Sequence, residues 1–198
     1  MCHEDRPRPV IHRLLACFIL ALPCCTNVTP EPSDTNLEPL TLEYLRTLGV
    51  DGDHIDIGAC PFEGCTYGVW TARQDTNANN RPVVGSRSAF TLRKGERILA
   101  DSGFVVTRKA GEAVVKNPIV IGTHAVEAGA YIEILHYAGE GFSLVRHEGE
   151  LDKIEIDGVS ANKIAEEDSI WWVRCRNSQG ALGWLKDPRG FEGSDAIG

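Results

Sequence analysis

Few residues of this chain stand at spacings that do chemistry. His124, His136 and His147 recur about every eleven residues on successive strand-like runs, and three neutral imidazoles folded together would hold zinc for metal-dependent hydrolysis. Asp51, Asp53, His54 and Asp56 in DGDHID offer hard oxygens to a cation, but the stretch lacks the downstream Glu of a calcium loop and reads as a solvated turn. Glu140, in the turn Gly139-Glu140-Gly141, has no partner acid in view. No GxSxG, HExxH or phosphate-binding loop occurs. The expectation is a protein that is not an enzyme and uses no cofactor and no metal, with a hydrolase on the strand histidines as the weaker alternative.

Seven cysteines are present. Cys2, Cys17, Cys24 and Cys25 lie in or beside the N-terminal apolar run, which leaves Cys60, Cys65 and Cys175 to the fold. In an oxidising compartment Cys60 and Cys65, in ACPFEGC, can close a short ring whose turn is supplied by Pro61 and Gly64. Chain entropy gives so small a ring about 2 kcal/mol, enough to pin a loop and too little to hold a domain. Free thiols and a metal site are the competing readings; the spacing is longer than a redox CxxC, and no second close ligand pair accompanies it. Cys175 shares an alternating face of WWVRCR with Trp171 and Val173, as a small core residue would.

The N-terminus reads as an address. Arg6, Arg8 and Arg13 precede the apolar run Leu14 to Leu22, which ends at Pro23-Cys24-Cys25. Residues 1–25 therefore have the form of a signal peptide, or of a lipoprotein signal in which Cys24 or Cys25 carries the lipid, and the run is too short to span a bilayer as a helix. Residues 26–39, rich in Pro, Thr and Glu, read as a disordered tether. The expected location is outside the cytoplasm, periplasmic or lipid-anchored at the cell envelope. At 42% hydrophobic and 24% charged the remainder is globular in composition. A net charge of −8 weighs against a nucleic-acid partner, and leaves a possible lipid anchor as the route to a membrane.

The elements that must position these residues are short. Leu37, Leu40, Tyr44, Leu45 and Leu48 give TLEYLRTLG a helical rhythm ended by Gly49, so residues 40–66 are read as a helix followed by the Cys loop. From Gly68 onward, β-branched and aromatic runs are separated by Gly, Asn, Asp or Ser: about ten strands in some 120 residues, a barrel or a sandwich. Three hairpins are expected: YIEILHY with FSLVRHE, WWVRCR with ALGWLK, and RILAD with FVVTR across Ser102-Gly103. PVVGS reads as a strand, NKIAEEDS (162–169) as a helical turn, and 189–198 as an irregular tail. Alternation places Trp171 and Trp172 on opposite faces, one buried and one nearer the surface.

The run Trp172-Val173-Arg174-Cys175-Arg176-Asn177-Ser178-Gln179-Gly180, followed by Gly183-Trp184-Leu185, resembles the closing hairpin of bacterial SH3 domains. TARQDTNANNRPVVGSRSAFTLRKGERILAD resembles the opening of the same domain, and CPFEGC followed by Tyr67 and Trp70 has the look of an exported SH3-like family of unassigned activity. About sixty-five residues separate the two halves, from Ser102 to Glu167, where that family needs only a short connection. The resemblance implies an all-β, SH3-like barrel over 67–188, either expanded by a β insertion near 102–167 or built as two small barrels in series, with the short helix in front. It also implies that the closing segment at Trp184 pairs with the strands around Trp70. The function implied is a binding module of the cell envelope taking a protein segment or peptidoglycan through Tyr67, Trp70, Trp172 and Trp184, although core packing is the competing role for each ring. A purely architectural envelope protein is the other non-enzymatic reading.

Overall fold

The computed structural model describes residues 38–156 and 158–196. The signal segment, the tether up to residue 37 and the lipidation candidates Cys24 and Cys25 lie outside the described residues. The fold is all-β and barrel-like, with one short helix at its N-terminal side. No helix among the described residues is long and apolar enough to cross a membrane.

Helix α1 (Leu42–Thr47) is fixed at both ends by its own sequence. The Thr41 side chain accepts the Tyr44 N–H, and Glu43 and Arg46 sit at the ends where their charges oppose the helix dipole. Gly49, at φ 87°, lets Val50 N–H reach back to Leu45 O and its own N–H reach Arg46 O, closing the last turn. The stop therefore falls where the glycine predicted it.

The first sheet has eight strands: β1 (His54–Ile57), β2 (Gly68–Ala72), β3 (Thr76–Asn79), β4 (Ser88–Leu92), β5 (Arg97–Lys109), β13 (Asp168–Asn177), β14 (Leu182–Lys186) and β15 (Phe191–Glu192). The order is β15-β2-β5-β13-β14-β3-β4, with β1 also on β5, and the pairings are antiparallel. Leu92 at one edge and Phe191 at the other belong to a single core cluster, so the sheet curls until both edges meet one interior.

Residues 111–165 fold between β5 and β13. There β6 (Gly111–Val115), β9 (Tyr131–Gly139), β10 (Phe142–His147), β11 (Glu150–Glu155) and β12 (Ala161–Ala165) form a five-stranded sheet in the order β11-β10-β9-β6-β12. A parallel bridge from Ile156 to Ala161 brings its two edge strands together. The hairpin of β7 (Ile119–Ile121) and β8 (His124–Val126) adds Ile121 and Val126 to its core.

Several local expectations are corrected. RILAD and FVVTR are one continuous strand, β5, and Ser102-Gly103 is no turn. A bulge explains the misreading: Arg174 faces Ser102 and Cys175 faces Ala100, so Asp101 is an extra residue and the inward parity switches there. Ile98 and Ala100 face the concave core before it, and Val105 faces that core after it. Residues 162–169 are strand, not a helical turn, because β12 pairs with β6 and β13 begins at Asp168. PVVGS is a turn region, and the tail after residue 188 adds the short strand β15 to β2.

The closing segment does not pair with the strands around Trp70, since β5 and β13 lie between β14 and β2. Trp70 is in the concave cluster, while Trp184 is in a second cluster on the opposite face with Phe104, Trp172 and the helix residue Leu45. It is Leu185, one residue on, that shares the interior with Trp70. The helix thus helps seal the sheet's second face. Both Trp171 and Trp172 are buried, at 6% and 1% exposure, because β13 is covered on both sides.

Candidate functional site

The most chemically varied surface lies where the two sheets meet, around the Cys60–Cys65 disulfide, whose Cα atoms are 5.6 Å apart. Within the ring, Cys65 N–H donates to Phe62 O at 3.2 Å, and outside it Ala196 N–H donates to Gly64 O at 2.8 Å. The Phe62 ring stands edge-on to Trp171, 5.5 Å between centroids. Beneath the loop, Ala59 O accepts both the Tyr67 hydroxyl at 2.6 Å and Trp171 Nε1–H at 3.1 Å. Gly103 makes this stack possible, because a Cβ there would lie 2.5 Å from Tyr67 Oη and 2.6 Å from Trp172 O. The aromatic base of the site is therefore fixed by hydrogen bonds and close packing before any ligand arrives.

Against this base opens a cavity of about 580 Å³, walled by Pro61, Phe62, Tyr137, Trp171 and the strap 187–195, with Arg73 and Arg189 contributing cations and Asp187, Glu192 and Asp195 contributing carboxylates. Two smaller cavities, about 250 and 420 Å³, adjoin the same loop and reach Phe142, Leu144 and Lys153. The first cavity shares Phe62 with one and Pro61 with the other, so the disulfide ring is the partition among the three. Rings with charged groups of both signs, guanidinium and carboxylate, within one concave volume suit a peptide-like or ring-bearing group, held by apolar contact and oriented by a few polar ones.

The far wall comes from the second sheet. The β9–β10 tip rests on the loop, with Gly139 positioned so that a Cβ would lie 3.5 Å from the Phe62 backbone. Thr107 Oγ1 donates to Leu135 O at 2.7 Å, and His136 stands between Asp56 Oδ2 (3.0 Å from Nε2) and Tyr137 O (2.7 Å from Nδ1). The hydrogen bond from His136 holds the Asp56 carboxyl below its ordinary range, against an opposing effect of burial. Burial lowers His54 beside it, assisted by the charges of His136 and Arg146 and resisted by Asp56.

The ligand-binding residues expected from the sequence are placed elsewhere. Trp70 and Trp184 are 0% and 1% exposed and serve as core. Trp172, also core, borders only a small cavity of about 150 Å³ near Pro82 and Val84. Tyr67 is half-buried, stacked on Trp70, and its hydroxyl is pushed up to about 12 by burial, so it acts as a hydrogen-bonded strut. Trp70, Trp172 and Trp184 are thus packing residues and Tyr67 a strut beneath the loop, and the tryptophan that reaches the large cavity is Trp171. Cys60 and Cys65 are bonded as expected, and burial pushes the thiol of Cys175 up to about 12, consistent with an inert core residue.

The three histidines are not brought together. His136 is paired with Asp56, His124 Nδ1 lies 3.8 Å from Glu148, and His147 starts the turn into β11. Among the described residues no group of His, Cys, Asp and Glu is arranged to hold a metal ion.

Sequence reasoning missed Phe62, Tyr137, Trp171 and the strap as a wall. Two signals were available: Phe62 is the large apolar residue of a ring too tight to bury it internally, and Tyr137 shares the outward register of Tyr131 and Glu133 on β9. The docking of the β9–β10 tip onto the loop is non-local and has no short-range signature. No protein-family model, no curated protein and no solved structure matches this chain.

Proposed function

We propose that this protein is a non-enzymatic binding module of the cell envelope, built on an SH3-like β domain, which holds a protein segment or the peptide part of peptidoglycan in the cavity beside the disulfide loop. The observation that carries the reading is the cavity itself: about 580 Å³, of the size that holds a small group, with aromatic walls from Phe62, Tyr137 and Trp171 and its floor tied down by the disulfide. A preorganised floor lowers the entropy lost on binding, which favours recognition. The exported or lipid-anchored location rests on the N-terminal signal pattern, and an oxidised Cys60–Cys65 pair agrees with it.

The test uses the full chain in two arms: sedimentation with purified peptidoglycan, and capture from an envelope extract. The reading expects saturable retention in one arm, abolished by a soluble competitor from that same arm. Retention in neither arm would refute it.

A further inference from the structure

The charges that line the large cavity are unequally committed. Its carboxylates come from Asp187, Glu192 and Asp195, its cations from Arg73 and Arg189. Asp187 is used by the fold: its Oδ1 accepts Trp171 N–H at 2.9 Å and its own N–H donates to Trp171 O at 2.7 Å. These two bonds hold the positive φ of 42° that turns β14 into the strap. Asp195 is engaged as well, and its backbone bridges to Cys65. Among the described residues, neither the Arg73 nor the Arg189 guanidinium has a hydrogen bond or ion pair, and the Glu192 carboxylate has none. Two cations and one carboxylate are left uncommitted, an excess of one positive charge in a protein whose net charge is −8.

The backbone fixes where the two cations start. Arg73 N–H donates to Gly190 O at 3.0 Å, next to Arg189, and Phe191 pairs with Ala72. Thr66 N–H donates to Ser194 O at 3.0 Å and Ser194 Oγ to Phe191 O at 3.0 Å, which pins the rest of the strap. Two like charges are thus held on adjoining segments, in a cavity walled by Phe62, Tyr137 and Trp171. Guanidinium groups take carboxylates in paired hydrogen bonds, and rings take an apolar side chain. The last residue of a peptide carries a carboxylate and a side chain on one Cα, so a single residue satisfies both. A phosphate would leave the rings uncovered and would bring a second negative charge toward Glu192.

We propose that the cavity captures the free C-terminal carboxylate of a peptide that ends in an apolar or aromatic residue. Arg73 and Arg189 hold the carboxylate, and Phe62, Tyr137 and Trp171 surround the last side chain. This names the ligand group of the site proposed above and rests on that reading. The end of a protein chain and the stem peptide of peptidoglycan both present such a group, the first with an L residue at its end and the second with a D residue.

The test titrates the full chain with an alanine–alanine–phenylalanine peptide labelled at its amino end, made with a free carboxylate and with an amide end. The expected result is saturable binding of the acid, about tenfold tighter than the amide. In the double variant Arg73→Gln, Arg189→Gln the two forms should bind alike, with the melting temperature unchanged because both side chains are exposed. The same peptide with D-phenylalanine at its end separates the sources: tighter binding of the D form assigns the carboxylate to peptidoglycan, tighter binding of the L form to a protein, and either supports the proposal. Four results would overturn it: no saturable binding of the acid in either form, equal binding of acid and amide, a preference for the acid that survives in the double variant, and displacement of the peptide by inorganic phosphate at equal concentration. Any of these alongside intact retention of peptidoglycan or capture from the envelope extract would sink the carboxylate assignment alone and leave the binding-module reading standing.

Discussion

The two larger sheets bury their faces in different ways. All four tryptophans belong to the first, with Trp70 and Trp171 on the concave side and Trp172 and Trp184 on the helix side. The core of the second is alanine, valine and isoleucine, and its other face leaves Tyr131 and Ile164 exposed at 66% and 53%. Strands β5 and β13 are covered on both sides and need volume on both, whereas a one-sided sheet closes over small aliphatics. The difference teaches that a cluster of aromatics in a β protein can answer to double-sided packing. The recognition surface then falls at the seam between the sheets.

The sharpest contrast is between Trp172→Ala and Ile134→Val. The first opens a large cavity under α1 and is expected to cost about 3–5 kcal/mol, the second about 0.5–1.5 kcal/mol, both read by urea denaturation. Equal costs would break the comparison. Arg174→Ala should approach the tryptophan effect, at about 3–5 kcal/mol. Arg174 is 4% exposed, makes a bidentate bond to the bulge residue Asp101 and donates to Glu38 O at 2.8 Å, so its loss strands a carboxylate in the first sheet. Removing the disulfide with Cys60→Ala and Cys65→Ala should cost about 2 kcal/mol, and should speed amide exchange around residues 60–65 more than in either core. Exchange that quickens equally throughout would show that the ring braces the whole fold.

The smallest effect concerns pH and belongs to the seam. Asp56 and His54 both have folded values below their ordinary ones, 3.8 and 6.5. Each therefore contributes stability that is complete above its ordinary value and is lost as pH falls through its folded value. Melting temperature should decline below about pH 6.5 and further into the carboxylate range, and Asp56→Asn should flatten the lower part of that decline. A wild-type curve that rises on acidification would contradict the His136–Asp56 contact as a stabilising one.

Much of the fold was legible in the residues. The leucine rhythm and the Gly49 stop marked the helix, the short spaced runs gave an all-β architecture, and the Asn177–Gly180 turn gave the β13–β14 hairpin, whereas the Thr41 cap emerged only from the structure. The Cys60–Cys65 ring was legible from its turn residues. The bulge at Asp101 was not, since a parity switch inside one strand looks like a turn between two when Ser-Gly follows it. The site was least legible. Its walls come from residues 61–62, 137, 171 and 187–195, which no local pattern relates, and the conspicuous tryptophans pointed to the core.

The central claim, that recognition lies at the seam and the tryptophans hold the cores, is tested most directly by measuring envelope capture and melting temperature together in two variants. Phe62→Ala with Tyr137→Ala should lose capture about tenfold or more while melting close to the wild type, and Trp184→Phe should melt lower yet capture normally. Undiminished capture by the first variant, or loss of capture by the second at an unchanged melting temperature, would contradict it.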